Sequence, residues 1–193
     1  MRKIFAFASL LALAGCLTTS APSVATWTVE FASEVASSAA SAVPKEGAPR
    51  GSVRVSQVAV RAPYDAKSIA VLRANGSLAF DPYNQFAALP SALLKGAFQD
   101  ALQTCGDFPT SVAATSRLAT DLAAELTVTR LALDCRAEGT RAAVVELTIL
   151  LVKDRALYAS AQGAGVADAA DGDYSKAFSK AFSQAVAEAV KKL

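Results

Sequence analysis

The sequence predicts an α+β fold, an antiparallel sheet with two helices packed on one face. Three observations predict it. Period-two apolar alternation recurs in several runs, clearest at Val53 to Val60, Asp121 to Cys135 and Ala142 to Lys153. Two other segments, Pro90 to Thr104 and residues 173–192, place apolar residues three and four apart, as a helix buried on one side requires. Short turn signals separate neighbouring runs, so sequential strands are expected to pair as hairpins. With 193 residues, 53% hydrophobic and 19% charged, the chain is long and apolar enough for one globular domain with a tail.

The first sixteen residues, MRKIFAFASLLALAGC, stand apart. Arg2 and Lys3 form a short basic region, and Ile4 to Leu13 an apolar stretch too short to span a bilayer. Leu13-Ala14-Gly15-Cys16 resembles a bacterial lipobox, in which small residues admit the signal peptidase and the Cys16 thiolate takes the diacylglycerol. The expected parts are a lipoprotein signal peptide over 1–15, a lipid-anchored tether over 16–26 and a domain over 27–193. No cofactor is expected beyond the covalent diacylglycerol and N-acyl lipid on Cys16. Such a chain is anchored to a membrane and does not span it. Leu17 follows the cysteine where inner-membrane retention usually has Asp, so the outer membrane, facing the periplasm, is the expected location. Cleavage removes Arg2 and Lys3, the whole of the +2 formal charge.

The domain elements follow in order. Trp27 to Phe31 alternates and reads as a first strand, and the Ala, Ser, Pro and Gly of 32–51 read as a loop. Val53 to Val60 is a strand, and Ala62-Pro63-Tyr64-Asp65 a turn. Ser68 to Arg73, Asn75-Gly76 and Ser77 to Phe80 read as a type I′ hairpin. Asp81-Pro82 reads as a helix start, followed by a main helix from Pro90 to Thr104 with Gly106 as its stop. Within 107–120, Thr110 to Ala113 is a short strand. Asp121 to Cys135 is a long strand whose phase shifts near Arg130, as a bulge requires. Ala142 to Lys153 and Ala156 to Gly163 are strands joined at Lys153-Asp154-Arg155. Residues 163–173, rich in Gly, Ala and Asp, read as a loop. The last helix has an apolar stripe from Tyr174 through Phe178, Phe182 and Val186 to Val190, with Lys176, Lys180, Gln184, Glu188 and Lys191 turned away.

The chain has no histidine, which excludes Ser-His-Asp and Cys-His nucleophile systems and histidine metal ligands. The lack of a Lys/Arg cluster argues against nucleic acid as a partner. Asp121 and Glu125, and the group Asp168, Asp171 and Asp173, are carboxylates in positions where caps and turns are commoner than acid–base chemistry. With Cys16 taken by lipid, Cys105 and Cys135 form an even pair in an oxidising compartment, and a disulfide is expected. It would close a loop of roughly thirty residues and contribute roughly 3–4 kcal/mol.

The order of motifs resembles a known family. It runs from the lipobox to the alternating strand Val53 to Val60, Pro63-Tyr64, the hairpin residues Ile69, Val71, Arg73 and Leu78, then Leu89-Pro90. It ends on the repeat Ala177-Phe178-Ser179 and Ala181-Phe182-Ser183. This is similar to the ABC-type transport auxiliary lipoproteins, the PqiC-like proteins. The departures are Tyr83 and Phe86 where the family often has Trp, and Asp65 where it often has Leu. The resemblance implies a non-enzymatic role beside an MCE-domain protein of an ABC-type lipid transporter, with self-association into a homo-oligomer left open. Tyr64 and Arg73, on the motifs that carry the resemblance, are the candidate partner surface. A different envelope-assembly task, activating a peptidoglycan synthase or supporting a secretion pore, is the alternative.

Overall fold

The computed structural model describes residues 23–30, 32, 51–104 and 108–193. The signal peptide, Cys16, Cys105 and Gly106 lie outside the described residues. Among the described residues, eight strands and two helices follow in chain order: β1 (Ala25–Trp27), β2 (Ser52–Val60), β3 (Ser68–Arg73), β4 (Leu78–Phe86), α1 (Pro90–Thr104), β5 (Thr110–Ala113), β6 (Leu122–Cys135), β7 (Ala142–Lys153), β8 (Ala156–Asp168) and α2 (Tyr174–Lys192).

The strands form one sheet, but it is mixed, which corrects the antiparallel expectation. β1–β4, β2–β5, β2–β6 and β3–β6 are parallel, while β3–β4, β6–β7 and β7–β8 are antiparallel. The reason lies in β2 and β3. They do not pair as sequential hairpin strands. They run end to end along the same side of β6, Val53 to Val60 against Leu122 to Val128, then Val71 to Arg73 against Leu133 to Cys135. The turn between them, with Ala62-Pro63 in cis, bends the chain without reversing it, and the Arg61 amide still donates to the Val128 carbonyl at 2.9 Å. On this side the sheet therefore forks, with β5 beyond β2 and β4 and β1 beyond β3. The register shift between Val128 and Arg130 on β6 falls at the fork, where the sequence expects a bulge. The helices also divide the sheet between them. α1 packs over β2 and β5 and α2 over β7 and β8.

Local differences have local causes. Asp81-Pro82 does not start a helix. The Asp81 carboxylate accepts from the Tyr83 and Asn84 amides and from Asn84 Nδ2, so it folds an outward bulge within β4. The three-residue loop Ala74-Asn75-Gly76 is not type I′, because only Gly76 has positive φ (78°). The two-residue I′ signature falls instead on Asp154 and Arg155, with φ of 49° and 65°. β1 covers Ala25 to Trp27 and stops short of Thr28 to Glu30, while Phe31 lies outside the described residues. β8 runs five residues beyond Gly163, because the run of small residues is itself alternating: Ala161, Gly163, Gly165 and Ala167 face α2.

α2 uses its four side-chain rows differently, since residues four apart stack along one line. Phe178, Phe182, Val186 and Val190 enter the core, with Phe178 edge-on to Phe86 at 5.3 Å. Ala177, Ala181, Ala185 and Ala189 are buried, and the helix backbone comes down directly on β8. A Cβ added at Gly163 would stand 1.9 Å from the Ala185 carbonyl oxygen, and one at Gly165 1.9 Å from that of Ala181. Only glycine permits this approach. Ser175, Ser179 and Ser183 hold an extended N-terminal strap. Ser175 Oγ donates to the Thr28 carbonyl at 2.7 Å, and Ser179 and Ser183 accept from the Glu30 and Ala32 amides at 3.0 and 2.9 Å. Gln184, Glu188 and Lys192 reach over the outer edge of β8. The polar residues expected to face solvent are therefore partly engaged.

Candidate functional site

Tyr64 sits in the turn between β2 and β3, half-buried against the core, and its amide donates to the Arg61 carbonyl at 2.9 Å. Asp65 has a structural role. Its carboxylate accepts from the Ser91 amide and hydroxyl, both at 3.0 Å, and so caps the first turn of α1 from outside the helix. Arg73 is exposed at the far end of β3, opposite Cys135 on β6. The length of β3, about 17 Å at strand rise, lies between Tyr64 and Arg73, so the fold does not gather them into one site.

Cys135 is half-buried at the C-terminal end of β6. It lines an open pocket of about 420 Å³ with Glu138, Thr140, Arg141 and Ala170. Burial pushes its thiol above the usual range, Asp134 adds to this, and Arg141 opposes it. A thiol held protonated in this way is a poor nucleophile. Arg141 Nη1 also lies 3.3 Å from the Tyr174 hydroxyl, and Tyr174 packs against Trp27 with ring centroids 5.4 Å apart. Trp27 is thereby placed as a structural anchor, its indole N–H donating to Asn84 Oδ1 at 3.0 Å.

The carboxylates have structural partners. Asp121 accepts from the Ser52 amide and hydroxyl at 2.8 and 2.7 Å, which ties the opening of β2 to β6 and holds its carboxyl below the usual range. Asp168, Asp171 and Asp173 accept from backbone amides two or three residues ahead, Asp173 as the N-cap of α2. Among the described residues no group of three or more Cys, Asp or Glu could hold a metal ion, and no helix is long and apolar enough to cross a membrane.

The strands β6, β7 and β8 also present a face turned away from α2, buried at Ala132 and Val144 and more exposed along β8. Thr127, Thr148 and Gln162 lie in one register row, and the Arg130–Glu146 ion pair (2.7 Å) in the next. Val144 and Val166 form an apolar row beyond them. Sequence reading missed Asp65 as a cap and the serine row. The second had a visible signal, a serine at every fourth position of a helix whose other rows are apolar.

No family model and no curated protein matches the chain. Solved structures do. Protein XCC0632 from Xanthomonas campestris, of family DUF330, is 18% identical with a TM-score of 0.65, over 86% of this chain and 91% of that one. An uncharacterized protein is 16% identical with a TM-score of 0.60, over 88% and 95%. At these identities the likeness is one of fold.

Proposed function

We propose that the chain is an outer-membrane-anchored periplasmic lipoprotein and a non-catalytic auxiliary component of an MCE/ABC-type intermembrane lipid transport system. One coincidence carries the reading. The Leu13-Ala14-Gly15-Cys16 box heads a chain whose fold is similar, over most of its length, to a DUF330 protein, and DUF330 is the PqiC-like family that the motif order resembles. The role is docking. Cys16 carries the lipid, the tether leads into β1, and the Tyr64 turn, the Arg73 hairpin and the outer face of β6–β8 offer surface to an MCE-domain protein.

The experiment is in-cell cross-linking from a photoreactive residue at Arg73 or Thr148, in the native lipidated protein, followed by identification of the captured partner. Capture of an MCE-domain protein is expected. Repeated capture of peptidoglycan synthases or secretion-pore subunits instead would move the chain to the alternative role. Labelling with radioactive palmitate, lost in Cys16→Ala, tests the anchor independently.

A further inference from the structure

Among the described residues β8 borders the sheet with only β7 beside it, so alternate residues turn their backbone groups outward. Such an edge, thirteen residues long and built largely of small residues, is a template for a strand of another chain. Three of its outward groups have partners from a single row of α2. The Ala164 amide donates to Glu188 at 2.7 Å, the Val166 amide donates to Gln184 at 3.1 Å, and Lys192 Nζ donates to the Gln162 carbonyl at 3.0 Å. Lys192 also pairs with Glu188 at 2.6 Å, which fixes the second carboxylate oxygen. These bonds hold the Glu188 carboxyl below the usual range. Gly163 and Gly165 bring the α2 backbone directly onto the strand, which sets these side chains beside its edge.

We propose that Gln184, Glu188 and Lys192 form a guard that closes the β8 edge against strand addition by a second copy of this chain. The chemistry identifies that occupant. A copy of β8 offers the same outward amides and carbonyls, and an antiparallel pairing of identical edges centred on Ala164 sets Ala164 opposite Ala164 and Gln162 opposite Val166. The guard is specific to strand addition. Its three groups occupy backbone donors and an acceptor and leave the sheet's outer face untouched.

The test compares the full chain, purified in detergent, with the triple variant Gln184→Ala, Glu188→Ala, Lys192→Ala, by light scattering across a concentration series. The substitutions keep good helix formers in α2. The triple variant is expected to reach about twice the parent's mass or more as concentration rises. Adding Ala164→Pro, which removes an outward N–H and leaves the ladder to β7 intact, is expected to restore the parent's mass. A folded triple variant that keeps the parent's mass overturns the proposal, as does association that persists with Ala164→Pro. Hydrogen exchange on the parent reads the guard without any variant. The Ala164 amide, pointing away from β7, is expected to exchange slowly, and exchange at the rate of an open edge also overturns the proposal.

Discussion

Gly165→Ala tests the closest packing in the molecule. On strand propensity alone the change should help, because glycine in a strand interior is about 0.5–1 kcal/mol worse than alanine. The packing predicts the opposite sign. The new Cβ would lie 1.9 Å from the Ala181 carbonyl oxygen, where real Cβ contacts do not fall below 3.0 Å. Neither atom belongs to a flexible side chain, so α2 must lift by roughly 1 Å. A gap of that size forfeits roughly a quarter to a half of each affected dispersion contact, and Phe178, Phe182 and Val186 all reach the core from this helix. Overpacking with these losses should cost about 3 kcal/mol, a fall in Tm of roughly 6–12 °C for a domain of this size. The assay is thermal and urea unfolding of the full chain followed by circular dichroism. Gly96→Ala is the matched control. Gly96 lies in α1 with no atom within 4 Å of its added Cβ, so that variant should gain about 0.5–1 kcal/mol. Unchanged or raised stability of Gly165→Ala would refute the reasoning.

Three further outcomes follow. Ser179→Ala leaves the Glu30 amide without its acceptor; it should cost about 1 kcal/mol and speed hydrogen exchange across the strap, and a strap that stays protected would count against the serine row. Asp121→Ala unties Ser52. The folded-state carboxyl titrates below its ordinary value, so its stabilisation is full above the unfolded pKa and is lost as pH falls through the folded one. The stability gap between parent and variant should therefore narrow as pH drops below about 4 and stay constant from pH 5 to 8, with an unchanging gap in acid as the contrary result. Cys135 should alkylate slowly near neutrality and faster at higher pH, because burial raises its thiol above the usual range. Reaction near neutrality at the rate of an ordinary exposed thiol would be the contrary result.

What the sequence made legible was local. β2, β6, β7, α1 and α2 announce themselves through period, caps and apolar faces, because those signals arise within each segment. The sheet's mixed character did not. Nothing in Val53 to Val60 says that its partner begins at Leu122, and sequential strands joined by a short turn usually pair with each other. Gly163 and Gly165 read as a loop because their purpose, a helix backbone resting on them, belongs to another element. For the site, Cys16 rests on a motif alone. Asp121, Asp171 and Asp173 carry the turn and cap roles expected of such residues. Tyr64 and Arg73 stay apart because β3 intervenes between them.

The forked sheet also bears on the order of folding. From Leu122 to Lys192 the chain is a meander of neighbours, β6 on β7, β7 on β8 and α2 on β8, all with short loops. The N-terminal half joins this sheet through parallel pairings across about sixty or more residues of sequence, β2 and then β3 on the free side of β6. Contacts of low sequence separation form first, since the entropy of closing long loops delays the rest. β6 through α2 is thus expected to assemble as the nucleus, and mutations there should slow folding, whereas changes at Pro63, Tyr64 or Arg73 should mainly speed unfolding. The segment that holds Pro63-Tyr64 and the Arg73 hairpin is then the last to dock, and among the first to loosen.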